Sequence, residues 1–372
     1  MEYQPSRREF NRGVAMTALL AIAGGNGNAQ VEAMGPFTAS PAEFDGKLTP
    51  ARSPLSFDNG SEVKTPGDWL RRRVEIITNW NRILGPWPRI IQRPAADVLE
   101  TIRRGDVLQH RVRIQIAPDQ NCEGYLLLPK GIGPFPAVFV PYYDPETSVG
   151  LSANPLRDFA WQLALRGFVT LAIGSPGGDA RKPVLSQPAI CQPLSYLGYV
   201  AANAWQALAA MPEVDSARIG IVGHSYGGKW AMFGSCLWEK YACAAWSDPG
   251  IVFDETRESI NYQEPWYLGK DPKVTRKPGL VREDSPRTGA YKTLVELGHD
   301  LHELHSLMAP RPFLVSGGEE DPPSRWSVLN HSIAVNRLLG VQDRVAMTNR
   351  ATHTPTQESN DQIYRFFEYW LK

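Results

Sequence analysis

Cysteine is scarce in this chain, which has four in 372 residues. Cys122, Cys191, Cys236 and Cys243 lie far apart, and none forms a Cys-x-x-Cys pair. A zinc site built on paired cysteines is therefore excluded. The thiols could form one or two disulfides in an oxidising compartment or stay free in the core, and their spacing leaves both alternatives open.

An excess of charge of either sign is also absent, because 39 Lys and Arg balance 39 Asp and Glu. Domains that bind nucleic acid usually carry a basic face, so nucleic acid is excluded as the expected partner. The apolar stretch near the N-terminus, residues 13–24, is about 12 residues long, whereas a helix that spans a bilayer needs ~20. We expect no stable insertion of the mature protein into a membrane.

The first 30 residues have the composition of an export signal. The charged sequence SRREF precedes the apolar stretch, and small and polar residues follow it. This order is similar to a twin-arginine signal, with cleavage near Ala29 or Ala33. Such a signal would make the mature protein periplasmic or secreted, and a disordered N-terminus is the alternative interpretation.

Strand and helix patterns alternate from residue 106 to residue 372. Apolar runs such as FPAVFVPYY and FVTLAIG are typical of buried strands, and NPLRDFAWQLALRG between them has helical spacing. HRVRIQIA and EGYLLLPKG instead predict an antiparallel strand pair. The whole pattern predicts an α/β fold, with a mostly parallel central sheet and helices on both faces.

Two segments differ from this alternation. Residues 31–105 predict an extended segment and then a helix over 67–84, which the sequence GPWPR ends. Residues 251–299 are polar and aromatic and contain several prolines. A connection of that length is usually functional, so we expect an insertion over the carboxyl ends of the strands, near the active site.

The stretch RIGIVGHSYGGKW places a serine where a buried strand ends. Ser225 lies between Gly223 and Gly227 in the pattern Gly-x-Ser-x-Gly, and a helix pattern follows. A sharp strand-to-helix turn leaves no space for side chains two residues before and after the serine. It also places the hydroxyl at a helix N-terminus, whose free amides stabilise negative charge. We interpret Ser225 as a catalytic nucleophile, and a glycine-rich turn with a capping serine is the alternative.

On these residues the chain resembles the α/β-hydrolase superfamily from about residue 111 to its end. EVDSARIGIVGHSYGG is similar to the segment through the nucleophile in dienelactone-hydrolase-like and acetyl xylan esterase-like proteins. The resemblance implies the α/β-hydrolase fold. It also implies a triad in the chain order serine, acid, histidine.

The remaining triad members follow from that order. Of the seven histidines, only His353 lies between the last predicted strand and the terminal helix, so we expect it to be the base. The family pattern of a glycine and then an aspartate three residues later falls on Gly318 and Asp321. Asp321 is therefore the expected acid. Glu320 and Asp248 are alternatives, since some family members place the acid after the preceding strand, as at Asp248.

Two backbone amides are expected to bind the oxyanion. The amide of Tyr226, directly after the nucleophile, is the first. The second should come from the loop after FPAVFVPYYDP, where many relatives have His-Gly and this chain has two tyrosines. We expect Tyr143 to be this donor, with Asp144 as the alternative. The other role for these tyrosines is to form a wall of the pocket.

A second family is matched in part. GHSYGGK resembles the Gly-Cys-Ser-Arg-x-Gly-Lys motif of glucuronoyl esterases, with His224 in place of the cysteine and Tyr226 in place of the arginine. DLHELHSLMAPRPFLV is similar to another segment of that family. There the arginine assists the oxyanion and the lysine contacts the sugar acid. The resemblance implies that Lys229 binds substrate, and an ordinary lysine on a helix surface is the alternative.

Aromatic and histidine side chains supply two further candidates. Trp266, in the insertion, is expected to stack on a sugar ring or an acyl group, unless it belongs to the core of the insertion. His299, His302 and His305 recur every third residue on a predicted helix, and this spacing turns the third side chain away from a shared ligand. We expect these histidines to pack against the sheet and not to bind metal.

The sequence as a whole predicts an exported serine hydrolase that cleaves a carboxylic ester through an acyl-enzyme. The expected substrate is a small-molecule or polysaccharide-linked ester, and the chemistry requires no metal or organic cofactor. One alternative is a peptidase of the prolyl-oligopeptidase type. Its propeller would not fit in the roughly 100 residues before the hydrolase pattern. The other alternative is a non-catalytic binding protein on a hydrolase scaffold.

Overall fold

The computed structural model of this chain describes residues 37–372, apart from residue 188. The predicted export signal over residues 1–30 lies outside the described residues. Within the described part, no helix combines the length and the apolar character that crossing a membrane requires.

A nine-stranded sheet forms the centre of the fold, with the strand order β1-β2-β3-β5-β4-β6-β7-β8-β9. Strands β1, β2 and β3 are antiparallel, and β3 pairs antiparallel with β5, while all pairs from β5 onward are parallel. The predicted mostly parallel sheet is confirmed. The strands are β1 (Ala96–Arg104), β2 (Val107–Ala117), β3 (Gln120–Leu128), β4 (Phe135–Pro141), β5 (Val169–Ile173), β6 (Val214–His224), β7 (Cys243–Ser247), β8 (Phe313–Gly317) and β9 (Val345–Asn349).

Helices cover both faces of this sheet. Two successive residues of β6 show that helices lie on each face. A Cβ on Gly220 would contact Phe367 on one face, and a Cβ on Gly234 would contact the side chain of Ile221 on the other. The helices are α1 (Pro66–Leu84), α2 (Pro145–Ser148), α3 (Phe159–Leu165), α4 (Pro193–Ala209), α5 (Tyr226–Leu237), α6 (Gly289–Glu296), α7 (His302–Ser306), α8 (Trp326–Leu338) and α9 (Gln357–Leu371).

Helix α1 is determined locally by its sequence. Thr65 and Asp68 form a capping box, in which each side chain accepts a hydrogen bond from the backbone of the other residue. Gly85, with a φ of 86°, ends the helix. Because both signals are short-range, the helix predicted over 67–84 agrees with the observed bounds within one residue.

Strand β1 was not predicted, and it extends the sheet into the segment expected to be extended chain and helix. It pairs with β2 across a two-residue turn, with Arg104 opposite Val107. Eight of its nine residues are exposed, including Val98 and Ile102. An edge strand with both faces in solvent has no alternation of buried and exposed positions, so the pattern that identifies strands is missing here.

All four cysteines are free thiols. Of the two alternatives that the sequence left open, disulfides or free thiols, the structure has free thiols. Cys191, Cys236 and Cys243 are buried. Burial raises the pKa of the Cys236 thiol to about 12, which keeps it protonated and unreactive.

His331 of α8 is expected to make the stability of the fold sensitive to acid. His331 is buried, its Nε2 lies 3.1 Å from Oγ1 of Thr49, and its ring centroid is 4.8 Å from that of His302. Burial, and next the charge of His302, lower the pKa of His331 to about 4. The unfolded chain takes up this proton near pH 6.5, and the folded protein only near pH 4.

We expect the free energy of unfolding to fall as the pH falls from about 6.5 to 4, by at most roughly 3 kcal/mol for this group. Chemical unfolding at several pH values measures this slope. The variant His331→Gln, which keeps a polar group beside Thr49 and removes the titration, should have a shallower slope. Equal slopes for both proteins would show that His331 does not carry the effect.

Candidate active site

The turn between β6 and α5 has the backbone of a nucleophile elbow. Ser225 adopts φ 55° and ψ −117°, a region that non-glycine residues rarely occupy. A Cβ on Gly223 would lie 2.1 Å from the carbonyl oxygen of Gly227, and one on Gly227 would lie 2.2 Å from that of Pro141. Only glycine fits at either position, and the strained serine is held with its side chain at the carboxyl edge of the sheet.

The structure brings Ser225 and His353 together across 128 positions of sequence. Nε2 of His353 lies 2.9 Å from Oγ of Ser225. The ring reaches this place from the loop between β9 and α9, where the guanidinium of Arg350 donates to the His353 carbonyl at 2.7 Å. The His353 side chain is one-third exposed, so a substrate can reach the pair.

The carboxylate that contacts His353 belongs to Asp248 and not to the predicted Asp321. Oδ2 of Asp248 lies 2.7 Å from Nδ1 of His353, and the carboxyl group is fully buried. Three amides of the loop after β8 donate to this carboxylate: those of Gly318 at 2.7 Å, Asp321 at 2.9 Å and Glu320 at 3.3 Å. These donors stabilise a negative charge directly behind the histidine.

The predicted acid Asp321 and the alternative Glu320, both on the loop after β8, have other partners. Asp321 accepts hydrogen bonds from the amides of Gly250 and Ile251 at 2.8 and 2.7 Å, so its side chain supports the loop after β7. Burial, and next the charge of Asp248, raise the pKa of Asp321 to about 6. Glu320 accepts from Ser259 at 2.6 Å, within the insertion. The amides of the loop after β8 therefore bind Asp248 of the loop after β7, and the amides of the loop after β7 bind Asp321 of the loop after β8.

The predicted oxyanion donors are two backbone amides. Neither Tyr226 nor Tyr143 donates its backbone N–H to an acceptor among the described residues. The amide of Tyr142 is occupied, since it donates to Ile173 at 3.2 Å. Asp144, the alternative donor, caps α2 with its carboxylate, which accepts from the Thr147 amide at 2.8 Å, and its own backbone N–H likewise has no acceptor among the described residues. The arrangement leaves the two predicted donors available for an oxyanion.

Lys229 is placed in the interior, which neither sequence interpretation expected. Its Nζ donates to the carbonyl of Pro249 at 2.6 Å and lies 4.9 Å from the ring centroid of Tyr262. Burial lowers its pKa to about 8, although Asp321 opposes this shift. Lys229 is 4% exposed, so it is a support for the loop after β7 and is not positioned at the surface for a sugar.

The aromatic residues of the insertion divide into two kinds. Tyr262 and Tyr267 are buried, and the Tyr267 ring centroid lies 6.2 Å from that of Tyr226 behind the elbow. Trp266 is half-buried, at 6.3 Å from Tyr267. Its role as a substrate contact stays a prediction.

The spaced histidines have protein partners. Nδ1 of His299 lies 2.6 Å from Glu303, Nε2 of His302 lies 2.6 Å from the carbonyl of Arg52, and His305 packs on Trp246. Among residues 37–372, no group of three or more His, Cys, Asp or Glu could hold a metal ion.

The sequence did not identify Arg350 as part of the site, and it gave His224 only a minor role. Arg350 is buried and also donates to the carbonyl of Ser316 at 2.9 Å, so it joins the β8 and β9 loops. A buried-strand pattern that ends in an arginine three residues before the histidine is the signal that could have found it.

The ring of His224 is buried, 4.7 Å from that of His353. Burial, and next the charge of His353, lower the pKa of His224 far below 6.5. A neutral neighbour does not compete with His353 for a proton.

No protein-family model and no curated protein matches the chain. Solved structures do match. A glucuronoyl esterase from Solibacter usitatus is 18% identical, with a TM-score of 0.68, covering 89% of this chain and 100% of its own. A glucuronoyl esterase from Teredinibacter turnerae is 16% identical, with a TM-score of 0.62 and coverages of 91% and 97%. One from Sporotrichum thermophile is 16% identical, with a TM-score of 0.54 and coverages of 90% and 91%.

The strand order of the sheet, the turn at Ser225 and these similar structures together define the fold class of the protein. The protein has the α/β-hydrolase fold, as the sequence predicted. The predicted resemblance to glucuronoyl esterases is confirmed for the fold, which is what identities of 16–18% establish.

Proposed function

We propose that this protein is a serine hydrolase that cleaves a carboxylic ester linked to a carbohydrate. The observation that carries the proposal is the continuous contact from Ser225 through His353 to Asp248, at 2.9 and 2.7 Å. A hydroxyl bonded to an imidazole, with the imidazole oriented by a carboxylate, is the arrangement that activates serine as a nucleophile.

Acylation proceeds on these groups. Oγ of Ser225 attacks the ester carbonyl carbon, and its proton passes to Nε2 of His353. The charge of Asp248 stabilises the imidazolium that forms. The carbonyl electron pair moves onto oxygen, where the amides of Tyr226 and Tyr143 donate hydrogen bonds. When the tetrahedral intermediate collapses, His353 protonates the leaving alcohol and the acyl group stays on the serine.

Deacylation uses the same groups with water as the nucleophile. His353 takes a proton from water, and the hydroxide adds to the acyl carbon. The intermediate then expels Ser225, which recovers its proton from the histidine. The buried carboxylate and its three amide donors remain unchanged through both halves of the reaction.

The substrate class is supported by the neighbouring structures, which are named glucuronoyl esterases. Trp266, half-buried in the insertion, is the side chain we assign to a sugar ring or acyl group. We further propose that the twin-arginine pattern of residues 6–10 directs export, so that the enzyme meets polysaccharide-linked esters in the periplasm or outside the cell.

Hydrolysis of a panel of acetyl, feruloyl, glucuronoyl and short-chain aryl esters tests the proposal. A peptide substrate is included to test the alternative, a peptidase. Labelling with a fluorophosphonate probe is measured in parallel, with Ser225→Ala as the control. We expect ester hydrolysis and covalent labelling in the wild-type protein only. Folded protein without labelling, or equal labelling of the variant, contradicts a serine enzyme, and hydrolysis of peptides without esters favours the peptidase.

A further inference from the structure

The elbow lacks one hydrogen-bond donor that is present in the Gly-Cys-Ser-Arg-x-Gly-Lys motif, which GHSYGGK resembles. Where that motif has an arginine, this chain has Tyr226, and its side chain is not available to a substrate. The Tyr226 ring is buried, and its hydroxyl lies 2.9 Å from Oγ of Ser175. Position 226 therefore offers no side-chain donor to the oxyanion.

Tyr143 presents its phenol at the required place. The residue follows the end of β4, and its hydroxyl interacts with the side chain of Ser225. The ring centroid lies 5.0 Å from that of Tyr142 and 4.9 Å from that of Tyr226. The side chain is nevertheless 42% exposed, so it borders the space from which a substrate approaches.

The backbone holds this phenol in position. The carbonyl of Tyr143 accepts a hydrogen bond from Ser175 at 3.1 Å, on the loop after β5. A Cβ on Gly174 would lie 3.2 Å from the same carbonyl oxygen, so the two loops are in close contact. A donor that is already held in place costs little reorganisation when charge develops, which is the property that an oxyanion site needs.

The phenol is a neutral donor. Burial raises the pKa of Tyr143, while the interaction with Ser225 and the charge of Arg181 act in the opposite direction. The hydroxyl therefore keeps its proton at neutral pH.

We propose that the hydroxyl of Tyr143 donates a hydrogen bond to the substrate oxyanion and supplies the side-chain assistance absent from position 226. This inference rests on the proposed function. The bond from Oγ of Ser225 to the carbonyl carbon forms, the carbonyl electron pair moves to oxygen, and the serine proton goes to His353. The Tyr143 proton stays on its own oxygen and is shared with the oxyanion.

The variant Tyr143→Phe tests this role, since it keeps the ring and the backbone amide and removes only the hydroxyl. We expect kcat and kcat/KM on an aryl ester to fall together by about 10²- to 10³-fold, with little change in KM. Binding of phenylboronic acid, which forms a tetrahedral adduct with a serine, should weaken by a similar factor. The matched control is Tyr125→Phe on β3, which removes a hydroxyl that donates to Glu146 at 3.2 Å, and whose activity we expect within about threefold of wild type.

The outcomes separate the two proposals. Tyr143→Phe with wild-type kcat overturns the role of the phenol and leaves the serine enzyme intact. A rise in KM alone, or equal losses in both tyrosine variants, also overturns it, because either result indicates packing or ground-state binding. Wild-type protein that neither hydrolyses esters nor labels at Ser225 overturns the proposed function, and the role of Tyr143 with it.

Discussion

Asp248→Asn should lower kcat/KM by about 10³- to 10⁴-fold, while Asp321→Asn should lower it less than about tenfold. Of the two aspartates, Asp248 is the one that contacts the ring of His353, at 2.7 Å. An asparagine there can present its amide nitrogen to Nδ1, which favours the wrong tautomer, and it removes the charge that stabilises the imidazolium. Asp321 instead accepts the amides of Gly250 and Ile251 and acts on loop structure.

Steady-state hydrolysis of an aryl ester measures both variants, together with the rate of fluorophosphonate labelling. The thermal midpoint is the control, because loss of a buried carboxylate can loosen the loops without touching the chemistry. A folded Asp248→Asn protein with near-normal kcat/KM, beside an inactive Asp321→Asn, would return the acid to the position that the family pattern indicated.

These two aspartates show where sequence reasoning reaches its limit. The contact between Ser225 and His353 was predictable because each residue has a local signal: the glycine spacing of the elbow for Ser225, and the place between the last strand and the last helix for His353. Strands β7 and β8 are parallel neighbours, so Asp248 and Asp321 end at the same edge of the sheet. Which carboxylate turns toward the ring depends on hydrogen bonds between the two loops, and no short-range pattern encodes these bonds.

Lys229 illustrates a related limit. Its position in the helix after the elbow is visible in the sequence, but its burial depends on the insertion that covers it. Tyr262 and Tyr267 come from that insertion, 33 and 38 residues further along the chain, and pack within 4.9 and 5.6 Å of Nζ. A connection without regular periodicity gives no register from which such contacts could be inferred.

The second large effect concerns the attachment of α1, which lies in the segment predicted to precede the hydrolase domain. Arg72 of α1 and Glu303 of α7 are both 1% exposed at their side chains. The Glu303 carboxylate lies 3.5 Å from the guanidinium of Arg72, accepts from Nε1 of Trp80 at 2.8 Å and lies 2.6 Å from Nδ1 of His299. One carboxylate therefore accepts from the Trp80 indole, contacts the ring of His299 and forms an ion pair with the buried guanidinium of Arg72.

Glu303→Ala should destabilise the protein by about 3–5 kcal/mol, because it leaves the buried indole N–H of Trp80 without its acceptor and removes the buried charge opposite Arg72. The matched control is Glu239→Ala. Glu239 pairs with the adjacent arginine of the same helix, Arg73, but is 55% exposed, so its loss should cost about 1 kcal/mol or less. Urea unfolding of both variants measures the difference.

Glu303→Gln distinguishes charge from shape in the same experiment. The amide oxygen can still accept from Trp80, so this variant should lie between wild type and Glu303→Ala, while the charge opposite Arg72 is lost. Arg72 keeps contacts with Asp58 at 2.7 Å and Glu75 at 2.5 Å, which limits the cost of losing one partner. Equal stability of the alanine variants at positions 303 and 239 would mean that α1 is held by its apolar face, through Trp69, Ile76 and Leu84, and not by the buried charge.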